Sequence, residues 1–456
     1  MSNDSMKKIV SLCKRRGFIF QSSEIYGGLQ SCWDYGPLGV ELKNNVKKFW
    51  WDDIVGRRHN VVGMDTAIIM HPRIWEASGH LAEFADPMVD CKKCKRRFRE
   101  GDFEGDVCPE CGGELTEMRK FHLMFKTFMG PVEDESAVVY LRPETCQSLF
   151  VNFQNVVTST RQQLPFGIAQ IGKSFRNEIT PRNFTFRSRE FEQMELEFFC
   201  KEEETPEWFE YWLAERVRWY KELGLKEDSF RTRDHLKEEL AFYAKRAADI
   251  EFKFPFFDGE YGELEGVHDR GTYDLKQQME FSGADLNYTD RTTRDKTVPA
   301  VVETSGGVDR CVLAVLCDAY TEEEIEGEKR VVMKFNPDIA PVKVAILPLS
   351  KKPELREPAM KIEETVRRHH ATFYDETQSI GRRYRRMDEV GTPYAVTYDF
   401  DSIDDKQVTV RDRDSLRQVR LPADNLVRFL DDLFEKRDWD EACSGMKQIL
   451  RPEAGE

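Results

Sequence analysis

Three short stretches of the chain carry residue types that can do chemistry together: Phe175-Arg176-Asn177-Glu178, Phe191-Glu192-Gln193-Met194-Glu195 and Gly306-Gly307-Val308-Asp309-Arg310. A charged loop, residues 181–190, joins the first two and holds Arg182, Arg187 and Arg189. Residues two apart on a strand share a face. Read as antiparallel strands, the first two stretches therefore put Arg176 and Glu178 on one side. Phe191, Gln193, Glu195 and Glu197 share a side as well, and Glu192 belongs to the other. The third stretch reads as a turn opening a helix, with Arg310 in its first turn. Together these groups offer cations for a polyphosphate, an aromatic face for a base and carboxylates for an amine.

A second constellation is Cys91-Lys92-Lys93-Cys94 and Cys108-Pro109-Glu110-Cys111, two C-x-x-C knuckles separated by thirteen residues. Four thiolates in such pairs suit tetrahedral Zn²⁺ with no open coordination position, which makes the expected site structural. Gly112-Gly113 fits a tight turn after the second knuckle. The alternative is four free cysteines.

One motif points elsewhere. Gly167-Ile168-Ala169-Gln170-Ile171-Gly172-Lys173-Ser174 matches the phosphate-binding pattern G-x-x-x-x-G-K-S. A working loop of that kind needs flexible residues between the glycines and a helix after the Ser. Here strand formers stand between the glycines, and residues 174–179 alternate like a strand. A chance match is the expectation, and a P-loop NTPase is the rival it supplies.

These groups need scaffolding. Gly36-Pro37 suits the start of a helix running through residues 40–51, whose apolar positions recur at helical spacing. Residues 136–199 alternate with hairpin-like spacing, which predicts an antiparallel sheet. Residues 85–120 are rich in Cys and charge and read as a zinc-ribbon-like insertion. Residues 201–250 take up helical periodicity at Trp208, Phe209, Tyr211, Trp212, Val217, Trp219 and Tyr220, predicting a helical insertion. Strands return over 261–320 and end in a helix over 310–316. From 341 a buried strand (342–347), helix (358–368), strand (371–374), helix (380–390) and strand (394–398) predict a small α/β domain with a mostly parallel sheet. The expected organisation is α+β, with residues 1–340 as one domain and 341–456 as another.

Composition narrows the class. The 456 residues are 40% hydrophobic and 33% charged, with a net charge of −15. An acidic chain does not coat nucleic acid nonspecifically, although local basic runs could dock a shaped RNA. Such runs are residues 14–16, 95–97 and 382–386, each of which also reads as a solvated face. No apolar run approaches the roughly 20 residues needed to span a bilayer, and residues 1–8 lack a signal-peptide apolar region. A cytosolic protein without membrane partners is expected. The other seven of the 11 cysteines, and the 8 histidines, read as core groups or bystanders.

The three stretches resemble motifs 2 and 3 of class II aminoacyl-tRNA synthetases, and their detailed wording is similar to the glycyl-tRNA synthetase family. The resemblance runs from Arg15 to about Phe434. It implies a class II antiparallel catalytic sheet with flanking helices, plus a C-terminal anticodon-binding domain shared with the threonine, proline and histidine enzymes. The implied activity joins glycine to ATP as glycyl-adenylate and passes it to the 3′ end of tRNA(Gly). Arg176 would hold the α-phosphate as a catalytic group, Glu178 the adenine amino group and Arg187 the γ-phosphate. Phe191 and the catalytic Arg310 would sandwich the adenine. Asn177, Phe186, Leu264, Gly307 and Asp309 complete the implied ATP set, and Glu263 and Glu303 would hold Mg²⁺. Arg99, Glu144, Gln193, Glu195, Glu303 and Ser305 match the family's glycine site. Carboxylates crowding the Cα would attract the ammonium and exclude a side chain. This chain has Thr304 where the family pattern has Pro, which loosens the backbone before Ser305 but keeps both flanking side chains. Residues 33–39 resemble motif 1, whose helix and following strand form a homodimer interface. A non-catalytic tRNA-binding paralogue is the alternative, and the three arginines argue against it.

Overall fold

The computed structural model describes residues 3–99, 103, 105–179, 183–241, 243–257, 259–325, 327–446 and 448–449. Its centre is a seven-stranded sheet. In spatial order the strands are Phe230–Asp234, Arg246–Phe252, Gly262–Gly271, Ala300–Gly307, Glu190–Cys200, Phe166–Phe175 and Val61–Met64. All neighbours are antiparallel except the last pair. The apolar residues of Glu190–Cys200 that point away from the site face, Met194, Leu196 and Phe198, enter the largest core cluster. Helices Pro37–Trp51, Thr205–Leu223 and Val308–Ala319 cover that face with Trp50, Trp212, Trp219 and Val312. Pro37 is the first helical residue of its element, where a missing N–H costs nothing.

The G-x-x-x-x-G-K-S match is strand from end to end: residues 167–174, inside Phe166–Phe175, pair with 191–198. Lys173 forms an ion pair with Glu190 of the neighbouring strand.

Two expectations are corrected. The region 201–250 is not a helical insertion. Its aromatic periodicity belongs to Thr205–Leu223 alone, and Phe230–Asp234 and Arg246–Phe252 are strands of the central sheet. Ala248, Ile250 and Phe252 are buried in the core there. The C-terminal sheet is also not mostly parallel. Val344–Pro348 pairs in parallel with Thr372–Tyr374 and Tyr394–Tyr398, and Gln407–Asp412, Gln418–Pro422 and Gln448–Ile449 extend it antiparallel. The two expected helices are Pro353–Val366 and Ile380–Val390, the first starting five residues ahead of the expected position, and Asp401–Asp405, Leu426–Lys436 and Trp439–Ala442 follow them.

The basic run 382–386 faces inward more than outward. Arg383 is buried and donates to the carbonyls of Pro348 and Asp375. Arg386 is bound to Asp375, Arg385 to Glu328, and the Tyr384 hydroxyl meets Thr397. Only Arg382 of the run stays exposed. The C-terminal domain is fastened to the N-terminal one by a buried network: Arg330 Nε donates to Asp388 at 2.8 Å, and Arg411 grips the same carboxylate at 3.0 Å.

Candidate active site

The cleft lies where the sheet strands Glu190–Cys200 and Ala300–Gly307 meet the helix Val308–Ala319. Arg176 and Arg310 both line it, together with Glu178, Arg187, Glu263 and the aromatic Phe186 and Phe191. Gln193, Ser305, Gly307 and Asp309 are also in the lining. Arg176 does not sit on a strand as expected: the strand ends at Phe175, and Arg176–Glu178 form a tight loop closed by Glu178 N donating to Arg176 O at 2.7 Å. Arg189 fixes that loop by donating to Glu178 O from Nε and Nη2. Arg182 lies outside the described residues.

Phe191 and Arg310 both line the cleft, and each also has an aromatic–guanidinium partner of its own. Arg310 lies 4.5 Å from the centroid of Phe186, and Arg176 lies 5.4 Å from that of Phe191. Phe186 is held in place by Phe254, Phe256 and Phe257, so the surface under Arg310 is rigid. Arg310 also donates to Phe186 O and pairs with Glu263 at 3.1 Å. That guanidinium draws the Glu263 carboxyl below its usual range against the opposing effect of burial. Arg187 stands 3.9 Å from Glu178. Asn177 is anchored through its backbone N–H to Leu123 O, and the Leu264 side chain is buried in the core.

Asp309 also has a structural role. Its carboxylate accepts from Tyr35 Oη at 2.7 Å, Lys43 Nζ at 3.0 Å and Glu192 N at 2.7 Å. It ties the strand Trp33–Tyr35 and the helix Pro37–Trp51 to the start of Val308–Ala319 while also lining the cleft. The predicted parity of Glu192 holds: its carboxylate faces Lys43 and Lys47 on the far side of the sheet.

Deeper along the same strands lies a cluster of acids. Register sets Glu195 opposite Ser305 and Glu197 opposite Glu303. Glu195 accepts from Ser305 Oγ at 2.6 Å, from Gln193 Nε2 at 2.7 Å and from Thr145. Burial, then the nearby Glu303 and Glu144 carboxylates, push Glu195 up to about 7. Glu144 stands 3.3 Å from His80 and accepts from Cys146 Sγ. Although burial opposes it, His80 and Arg270 hold Glu144 well below the usual carboxylate range. Glu303 meets Arg270 at 2.9 Å and His268 at 3.2 Å. Burial would raise its carboxyl, but those cations hold it at about 2. Buried acids that sit this close must divide their protons, and here the cations decide which stay charged.

Glu144, Gln193, Glu195, Glu303 and Ser305 are thus brought together, and Arg99 is not among them. Arg99 lies on the short strand Arg97–Arg99 of the cysteine-rich insertion and pairs with Asp86 at 3.1 Å. Glu263 and Glu303 stand apart on the sheet: Glu303 pairs with His268, and Glu263 lies five residues back along that strand, a Cα separation of about 16 Å at an extended rise. Glu263 lies in the cleft beside Arg310, and Glu303 is engaged by Arg270 and His268.

Sequence reading missed His80, Cys146, His268 and Arg270. Period two along Gly262–Gly271 would have set His268 and Arg270 on one face, but nothing local said that Glu303 would stand opposite.

The four cysteines of the insertion also converge. Their sulfurs all lie within 4.8 Å of one another, with Cys91–Cys111 at 3.5 Å and Cys94–Cys108 at 3.7 Å. A tetrahedral Zn–S₄ centre with bonds near 2.3 Å needs about 3.8 Å between sulfurs. The backbone N–H of Cys94 points at Cys91 Sγ and lowers that thiol's pKa. Gly113 lies so close that a Cβ there would come 3.0 Å from Cys91 Sγ. The donor set and its cradle fit a zinc ion.

An antiparallel sheet with arginines at its nucleotide cleft, joined to a mixed α/β domain, defines a class II aminoacyl-tRNA synthetase. Residues 127–319 match the model described as the tRNA synthetase class II core domain (G, H, P, S and T), and residues 343–433 match the anticodon binding domain. A glycine–tRNA ligase of Treponema denticola is 53% identical over 93% of this chain and 96% of its own length. One of Caldanaerobacter subterraneus subsp. tengcongensis is 52% identical over 94% and 98%. The fold also resembles the crystal structure of prolyl-tRNA synthetase from Cryptosporidium parvum, with a TM-score of 0.64, 16% identity and coverage of 94% of this chain and 75% of that one. The chain belongs to the glycine–tRNA ligase family.

Proposed function

We propose that this chain activates glycine with ATP and transfers the glycyl group to the 3′ end of tRNA(Gly). The observation that carries the reading is the shared cleft: Arg176 and Arg310 line one cavity, and Gln193 and Ser305 connect it to the buried acids. In adenylate formation the glycine carboxylate attacks the α-phosphate and pyrophosphate leaves. Such transfer is catalysed mainly by positioning and by cations at the phosphates. Arg176 is assigned the α-phosphate and the attacking carboxylate, Arg187 the γ-phosphate, and Glu178 the adenine amino group. Phe191 and Phe186, each beside a guanidinium, provide faces for the base. Mg²⁺ bound with ATP would neutralise phosphate charge, and Glu263 is the residue assigned to hold it. Glu144, Glu195 and Glu303 attract the ammonium, and their crowding excludes a Cβ. In the transfer step the ribose hydroxyl loses its proton to a phosphate oxygen or water.

Zinc on Cys91, Cys94, Cys108 and Cys111 stiffens the insertion over 85–120. The chain works as a cytoplasmic homodimer through the helix Pro37–Trp51 and the strand that follows it, Val61–Met64, with residues 1–340 catalytic and 341–456 reading the anticodon. No helix among the described residues is long and apolar enough to cross a membrane. ATP–pyrophosphate exchange tests the activation step. Exchange that depends on glycine, and not on alanine, serine, threonine or proline, is expected; equal exchange with alanine or none with glycine overturns the assignment.

A further inference from the structure

One acid of the cluster has no part in the contacts described so far. Glu197 lies two residues beyond Glu195 and shares its face. It is 0% exposed, and among the described residues neither carboxylate oxygen has a hydrogen-bond partner. A Glu197 oxygen, a Glu303 oxygen and Cys146 Sγ all lie within 4.8 Å of one another.

An ionised carboxylate in a dry interior, without a donor and beside a second carboxylate, is very unfavourable. Either a cation or a proton must relieve it. A metal cation is opposed by Arg270, which already binds Glu303 at 2.9 Å and is itself clamped by Asp274 at 2.8 and 2.9 Å. A proton needs no further room. The groups facing Glu197 are Glu195 on its own strand, Glu303 opposite, Arg270 and Asp274 from Gly262–Gly271 and the following helix, and Cys146 from Cys146–Val151. Burial and Glu303 push its carboxyl well up, and Arg270 offsets this only in part.

We propose that Glu197 is a neutral positioning acid, whose O–H can turn toward the Glu303 oxygen that lies within 4.8 Å of it and so steady the group that meets the substrate ammonium without adding charge to the pocket. This rests on the glycine-activating reading above. The acid steadies Glu303 without placing another negative charge beside it.

The test is glycine-dependent exchange on the full chain, with KM determined separately for glycine and ATP. Glu197→Leu removes the donor and is expected to raise the glycine KM about tenfold or more, leaving the ATP KM unchanged. Glu197→Gln keeps shape and donor without charge and is expected to bring the glycine KM back to within about threefold of the parent. A Gln variant as impaired as Glu303→Gln, or a Leu variant with the parent's KM, overturns the proposal. Infrared difference spectra of the parent and Glu197→Gln decide the matter without the Leu variant. A protonated-acid carbonyl band at neutral pH, lost in Glu197→Gln, is expected, and its absence from the parent overturns the proposal. The spectrum needs no turnover, so failure of glycine activation would sink the function and leave this inference to be judged on the band.

Discussion

Arg310 and Glu263 form an ion pair of 3.1 Å across the mouth of the nucleotide cleft. The pair brings together a helix start and a sheet strand, and it holds the guanidinium over Phe186, 4.5 Å from the ring centroid. An arginine already oriented loses less side-chain freedom when it meets a ligand.

Replacing Arg310 by Ala should therefore remove cation stabilisation at the reacting phosphates. A loss of about 10²–10³-fold in glycine-dependent exchange is expected, the scale of losing one preorganised electrostatic group. Lys173→Ala is the control, because its ammonium pairs with Glu190 on exposed strand. It should leave exchange within about twofold, since such pairs contribute little. The reverse order of severity would restore the P-loop reading.

The glycine site should respond to pH through Glu195. Its folded carboxyl stands at about 7 against an ordinary 4.5, raised by burial and by Glu303 and Glu144. The native state thus carries an extra proton between those values, and this group's contribution to stability falls as pH rises through that window. Binding an ammonium reverses the preference, because the charged carboxylate is then paired. The thermal stabilisation produced by saturating glycine should grow from about pH 5.5 to about pH 7.5, and the glycine KM should fall over the same range. A glycine-induced shift that is flat across this range would remove Glu195 from the ammonium contacts.

Strand parity was the most legible part of the site. Alternation alone separates Glu192 from Gln193 and Glu195, and the structure sets them on opposite faces, Glu192 with Lys43 and Lys47 and Glu195 with Ser305. The helix opening after Gly307 was legible for the same local reason, since an apolar run of helical period follows it. Facts that depend on distant register were not. Glu263 and Glu303 are both acids near the motifs, yet only the pairing of Glu303 with His268 reveals that they stand apart. The strand Phe230–Asp234 was hidden because it lies at the sheet edge and carries exposed charges. The run 382–386 shows how composition misleads. It names the charges and not their partners, and Arg383, Arg385 and Arg386 are occupied within the fold.

The cysteine cluster predicts a stoichiometry. The purified chain should hold about one zinc ion per protomer, and Cys108→Ser should lose it, because three thiolates and an alcohol bind far more weakly than four thiolates. Elemental analysis after exhaustive dialysis reads this directly. Limited proteolysis should then cut within residues 85–122 and spare the central sheet, whose core does not include the insertion. Retention of zinc by Cys108→Ser would point to a different ligand set.

The domain junction should be energetically sharp at Asp388. Its side chain is 1% exposed and is shared by Arg330, itself 1% exposed, and Arg411. Removing that carboxylate strands two buried guanidinium groups, and breaking a buried pair from one side costs about 3–5 kcal/mol. Arg330 retains the carbonyl of Arg413 and the carboxylate of Glu323, which softens the loss toward the lower figure. Asp388→Ala should thus shift the urea midpoint clearly downward. Gly391 guards the same junction by a different route. Its φ is +79°, and a Cβ there would come 2.3 Å from the Phe335 ring, so Gly391→Ala should destabilise the junction through strain and overlap instead of charge. Neither change touches the cleft. Glycine-dependent exchange measured below the unfolding midpoint should survive both, while aminoacylation of tRNA, which needs the two domains held together, should fall. Equal losses in the two assays would mean that Asp388 supports the catalytic sheet itself and not the coupling of the domains.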